Sequence, residues 1–76
     1  MHFAYNIGMS EFSERLKELL IQNNITQKDL SEKINKSRVA VNNYCTGYRE
    51  PSLDTLKMIC QALNESADYL LGLKDI

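Results

Sequence analysis

Ser10, Thr26, Ser37, Ser52 and Ser66 each stand just ahead of a stretch with helical apolar spacing, and Asn23-Asn24, Asn35, Gly47 and Asn64 close four of those stretches. A Ser or Thr hydroxyl accepts from the unpaired amides of a helix's first turn, while Asn or Gly tolerates the left-handed conformation that ends one. Starts and stops this closely spaced leave room only for short helices. Pro51 sharpens one boundary, because it keeps Glu50 out of the helical region while Ser52 caps the next helix. At Thr26 the start is reinforced by Asp29, whose carboxylate can return a hydrogen bond to the Thr26 amide. The pattern predicts five helices and an all-α fold, a compact bundle.

The apolar faces agree with that division. Phe12, Leu16, Leu19 and Leu20 share one side of the first helix, with Glu14, Arg15, Lys17 and Glu18 over the rest. In the fourth, the stripe is Leu53, Leu56, Ile59, Cys60 and Leu63. The second and third helices are slimmer. Leu30 and Ile34 lie four apart and Val41 and Tyr44 three apart, so each helix offers one narrow apolar edge. Asn35 and Ser37 make a corner of about three to four residues between them, and two short helices joined in this way form a helix-turn-helix.

Residues 26–52, TQKDLSEKINKSRVAVNNYCTGYREPS, carry that outline. They resemble the family of phage repressors, Cro proteins and xenobiotic-response-element-type bacterial regulators. The resemblance rests on Thr26-Gln27, Leu30, Ile34, Ser37-Arg38, Val41, Tyr44, Gly47, Arg49 and the junction Pro51-Ser52-Leu53. It continues through Leu56, Ala62-Leu63 and the run from Ser66 to Leu71, covering about residues 12–73. It implies a lambda-repressor-like fold and a sequence-specific transcriptional regulator of double-stranded DNA, expected to be a repressor that binds an inverted-repeat operator as a dimer.

Val41 and Tyr44 point inward, so at 100° per residue the opposite face of the third helix is Val39, Asn42 and Asn43, with Arg38 on its margin. These four are the candidate base readers. Arg can pair with guanine O6 and N7, Asn with adenine, and Val only with a thymine methyl. Read from the residues alone, Asn42 and Asn43 fit a solvated helix face better than base reading, and a surface ion pair is the lesser alternative for Arg38; the resemblance reverses the balance for the two Asn in favour of base reading. It also implies that Gln27 touches phosphate and braces the third helix, and that Arg49 holds phosphate. Thr26, Lys36 and Ser37 are further phosphate candidates. Tyr48 departs from the family's usual Lys or Arg, and either donates to phosphate or packs on the fourth helix.

Net charge is −1, low for a DNA-binding domain, but its distribution is uneven. Lys36, Arg38 and Arg49 have no acid among them, whereas Asp54, Glu65, Asp68 and Asp75 outnumber Lys57 and Lys74 beyond Ser52. Few phosphate partners imply weak non-specific affinity and a shallow salt dependence, since each neutralised phosphate adds about 0.9 to the slope.

Tyr69, Leu70, Leu73 and Ile76 form a candidate dimer interface; the competing expectation is that they complete the monomer's own core. Residues 1–9 are expected to be a flexible extension, 10–73 the DNA-binding domain and 74–76 a tail. The extension lies outside the resemblance and has no Lys or Arg, which suits frayed chain or packing by Phe3 and Tyr5 better than a minor-groove arm.

Cys45 and Cys60 lack zinc-site spacing, and free thiols in a reducing compartment are expected; Cys45 also admits a redox-sensing reading. Without a signal-like start or a long apolar run, the expected location is the cytoplasm, away from membranes. One histidine, no nucleophile-base pair, no phosphate-cradling loop and no metal cluster argue against an enzyme, and no cofactor or metal is expected. The expected partners are double-stranded DNA and a second copy of the chain. The alternative is an antitoxin or protein-interaction module whose main contact is a protein such as a toxin or an anti-repressor. The chain is expected to be a DNA-binding module alone, regulated by concentration, a partner or competition at the operator.

Overall fold

The structure, a computed structural model, describes residues 10–75. The expectations for residues 1–9 and for Ile76 therefore fall outside the described residues. Among those described there are five helices and no strand: α1 (Glu11–Gln22), α2 (Gln27–Lys33), α3 (Arg38–Thr46), α4 (Leu53–Leu63) and α5 (Ala67–Leu70).

Every helix begins at the hydroxyl residue expected. Ser10, Thr26, Ser37, Ser52 and Ser66 each accept from the amide three residues on, at 3.1, 2.9, 3.0, 3.2 and 3.1 Å respectively. At Thr26 the exchange is reciprocal, with the Thr26 amide donating to Asp29 Oδ2 at 3.1 Å. α1 has the same device in a form the spacing does not suggest: Ser13, rather than an acid or amide, accepts from the Ser10 amide at 2.9 Å.

The stops share one geometry. Asn24, Asn35 and Asn64 all have φ between 54° and 56°, and the amide after each reaches back to a carbonyl in the last turn of its helix: Ile25 to Leu20, Lys36 to Ser31, Glu65 to Cys60, each at 2.9 Å. These are Schellman closures, which satisfy carbonyls that the helix end would otherwise strand. α5 closes alike at Gly72 (φ 82°), with the Leu73 amide donating to the Asp68 carbonyl at 2.7 Å. A Cβ at Gly72 would run into the Glu11 carboxylate, so the end of α5 sits tightly against the start of α1.

Each element sends a fully enclosed side chain inward: Leu16 from α1, Leu30 from α2, Val41 from α3, Ile59 from α4 and Leu70 from α5, with Ile34 at the cap of α2. α1 and α2 both pack on α3, and α5 bridges α1 and α4. Three buried hydroxyls sit among these apolar groups without being orphaned. Ser13 donates to the Ser10 carbonyl, Ser31 to the Lys28 carbonyl, and Thr55 accepts from Ser52, at 2.9, 2.6 and 3.0 Å.

Three expectations need correction. The apolar spacing puts Leu53 on the inward stripe of α4, yet it is 84% exposed. It lies about 120° around the helix from Ile59, and buried Thr55 takes part of the inward face instead. The sequence groups Arg15 with solvated charges, but its guanidinium is folded against α5 and the chain beyond it. Leu70, a candidate for the dimer interface, is wholly enclosed in the monomer because it is the one inward anchor of the four-residue α5.

Candidate nucleic-acid interface

α3 is pinned on its inner side by Val41, Tyr44 and Cys45, all buried. With α1 and α2 covering that side, its other face is left to solvent. Arg38 and Asn42 are exposed and Val39 is 70% exposed, which is a large apolar side chain held in water. Gln27, at the first turn of α2, lines the same shallow open concavity as Arg38, Val39 and Asn42. The corner between the helices produces this juxtaposition. Asn35 reverses the chain in its left-handed conformation, and Ser37 restarts it one residue after the Lys36 amide has closed α2.

Asn43 stands apart from that group. It is half-buried, and the loop after α3 folds back on its backbone carbonyl, which accepts from the Arg49 amide at 3.3 Å and the Thr46 hydroxyl at 3.2 Å. Those contacts set the loop rather than a free side-chain surface. Gly47 (φ 81°) turns that loop, and the Tyr48 amide donates to Thr46 Oγ1 at 3.3 Å.

The phosphate candidates divide by what they still have to offer. Thr26 uses its amide and one hydroxyl lone pair within the capping exchange, leaving the hydroxyl proton. The Asp29 carboxyl is held below its ordinary value, first by the Thr26 amide and then by the Thr26 hydroxyl, so it carries its negative charge at the α2 N-terminus. That charge occupies the position where a helix end would otherwise favour an anion. Gln27 is half-buried but uncharged, and its amide both donates and accepts. Ser37 accepts from Ala40, and Lys36 is exposed beside it. On the other flank the Arg49 guanidinium lies 5.7 Å from the centre of the Tyr48 ring. Tyr48 is 73% exposed, so of its two expected roles packing on α4 is not the one it adopts.

The remaining sequence candidates are not part of this face. Cys45 is 1% exposed on the inner side of α3, and burial pushes its thiol above the ordinary value. A redox sensor needs an accessible thiolate, which burial suppresses here. Cys60 is half-buried, its thiol also pushed up by burial and then by Glu65. Of the dimer candidates other than Leu70, Tyr69 is half-buried against Arg15 and Leu73 is 73% exposed. Among the described residues no group of three or more His, Cys, Asp or Glu could hold a metal ion, and no helix is long and apolar enough to cross a membrane.

The helix-turn-helix family profile matches residues 16–70. The HTH-type transcriptional regulator ImmR of Bacillus subtilis (strain 168) is 40% identical over 63 residues, covering 83% of this chain and 50% of ImmR. YqaE, an uncharacterized HTH-type transcriptional regulator of the same organism, is 42% identical over 60 residues, 79% of this chain and 52% of its own. The HTH-type transcriptional activator BcrR of Enterococcus faecalis is 34% identical over 62 residues, 82% of this chain and 30% of BcrR. The chain thus spans about half the length of ImmR and YqaE and less of BcrR. No solved structure is significantly similar to it. With the family's two helices, their corner and the exposed second helix all in place, the chain belongs to the helix-turn-helix family of the phage-repressor and Cro type.

Proposed function

We propose that the chain is a sequence-specific double-stranded DNA-binding transcriptional regulator that lays α3 in the major groove. The observation that carries this is the exposed group of Arg38, Val39 and Asn42 gathered into one concavity with Gln27. Arg38 suits guanine, Asn42 adenine and Val39 a thymine methyl, so the group can tell base pairs apart rather than only grip the backbone. Asn43 joins it at the edge through whatever its half-buried amide can reach. Lys36 and Ser37 on one flank, Tyr48 and Arg49 on the other, with Thr26 and Gln27 at the start of α2, are the phosphate contacts.

Four base-reading side chains specify only a short sequence. Two copies on half-sites about one turn of DNA apart would double it, and a two-fold dimer reads an inverted repeat. Exposed Leu73 beside Tyr69 supports a pairing surface at that end of the molecule. The role proposed is repression, which needs only that the bound chain occupy an operator and exclude other proteins from it. Titrating a duplex carrying a selected site with the chain and with Arg38→Glu tests the reading: binding should be lost in the variant while its helicity is kept.

A second reading, an antitoxin or other protein-binding module, is favoured by the net charge of −1. In that case Arg38→Glu would leave the main complex, with a protein, intact.

A further inference from the structure

We propose that Tyr48 is a positioning residue for DNA binding: its ring holds the Arg49 guanidinium in place for a backbone phosphate, and its hydroxyl is dispensable. This rests on the DNA-binding reading above and refines it, since Arg49 then takes the phosphate and Tyr48 acts through Arg49. The guanidinium carbon lies 5.7 Å from the ring centre, within the roughly 6 Å over which an aromatic face attracts a cation. Among the described residues every ion pair is made by Arg15, so no carboxylate holds Arg49. Tyr48 in turn is 73% exposed and stands outside the core.

The loop after α3 fixes where the two side chains start. Gly47 at φ 81° reverses the chain, the Tyr48 amide donates to Thr46 Oγ1 at 3.3 Å, and the Arg49 amide donates to the Asn43 carbonyl at 3.3 Å. With both backbones tied, what remains loose is the Arg49 side chain, which is rich in rotamers, and ordering it is a cost that falls on binding. A ring beside it removes part of that freedom before DNA arrives. The aromatic face attracts the cation without accepting a hydrogen bond, so all five N–H donors stay available to phosphate oxygens. A carboxylate in the same place would occupy those donors and offset the charge that phosphate needs. At an exposed site the ring contact is worth about two- to fivefold in affinity for each subunit bound.

The test is binding of the full chain to two duplexes, one carrying a selected site and one of scrambled sequence. Tyr48→Phe, Tyr48→Leu, Arg49→Ala and the Tyr48→Leu/Arg49→Ala double variant are measured beside the parent, with helicity checked for each. Tyr48→Phe is expected to bind as the parent does. Tyr48→Leu should lose about two- to fivefold per subunit on both duplexes, and should add no loss once Arg49 is replaced. In the free protein the Arg49 side-chain protons should carry ring-current shifts that Tyr48→Phe keeps and Tyr48→Leu abolishes. Equal losses in Tyr48→Phe and Tyr48→Leu would overturn the proposal by giving the role to the hydroxyl. A Tyr48→Leu loss that persists without Arg49 would overturn it by making the ring an independent contact, as would Tyr48→Leu binding like the parent. A parent that binds neither duplex would instead contradict the DNA-binding reading itself, and the positioning role with it.

Discussion

The Arg15 guanidinium carbon lies 4.5 Å from the centre of the Tyr69 ring, while its Nη1 donates to the Tyr69 carbonyl at 3.0 Å and to the Lys74 carbonyl at 2.7 Å. Nη2 meets Glu11 and Asp75 at 3.1 and 3.3 Å. One planar side chain thus joins α1, α5 and the residues after it. Two of its partners are backbone carbonyls: that of Tyr69 in α5, which also accepts from the Gly72 amide at 3.1 Å, and that of Lys74 beyond the helix.

Geometry as well as charge makes this contact, and because both ion-pair partners are largely exposed, Arg15→Lys should replace little of it. Lys keeps the positive charge but not the flat fork that stacks on a ring and donates in several directions. Both Arg15→Lys and Arg15→Ala are expected to lower the thermal midpoint and speed amide exchange at Leu70 and Leu73, with Lys recovering little of the loss. Full recovery by Lys would show that charge alone matters.

The corner of the motif depends on Asn35 at φ 56°. Gly accepts that conformation without strain, whereas a Cβ-bearing residue without a short polar side chain costs about 1–2 kcal/mol there. Asn35→Gly is expected to match the parent in chemical denaturation, and Asn35→Ala to lose about 1 kcal/mol. Because the same corner aims α3, Asn35→Ala should also weaken DNA binding by more than its stability loss accounts for.

Asp29 gives the fold a defined acid sensitivity. Its carboxyl is held below the ordinary value by the Thr26 amide, so the folded state favours the ionised form. That contribution is fully present above the unfolded value, about 3.9, and is lost as pH falls through the lower folded one. Asp29→Asn should therefore show a lower thermal midpoint than the parent at neutral pH, the gap narrowing as pH drops below about 4. A gap independent of pH would remove the carboxylate from the account.

Much of the architecture is legible in the sequence because helix ends are local. A hydroxyl accepting from the third amide on, and an Asn reversing the chain, need only neighbouring residues, which is why Ser10, Thr26, Ser37, Ser52 and Ser66 all stand where the spacing puts them. The features that sequence does not reveal depend on tertiary neighbours. Arg15 looks like any surface charge until α5 is laid across it, and Leu53 looks like core until α4's packed face turns out to centre on Thr55 and Ile59. Leu70 reads as surplus apolar surface because nothing in the sequence shows that α1 and α4 close around it. On the site itself, helical periodicity is enough to identify the exposure of Arg38, Val39 and Asn42. Asn43 is half-buried where periodicity puts it on the outer face, and its backbone carbonyl accepts from the Arg49 amide, a loop contact that periodicity does not see.

Arg38 and Arg49 should separate the two kinds of contact. Arg38→Ala is expected to relax preference at one base pair, costing about 1–3 kcal/mol of discrimination there. Arg49→Ala should weaken binding to all sequences alike and reduce the salt slope by about 1. Binding isotherms on matched and mismatched duplexes across a salt series read both effects, and interchange of the two behaviours would reassign the residues.

The most direct test of the DNA-reading account is selection from a randomised duplex pool at physiological salt, with the Arg38→Ala/Asn42→Ala double variant in parallel. The account predicts enrichment of an inverted repeat with half-sites about one turn apart, lost in the variant. A folded protein that enriches no sequence would contradict it.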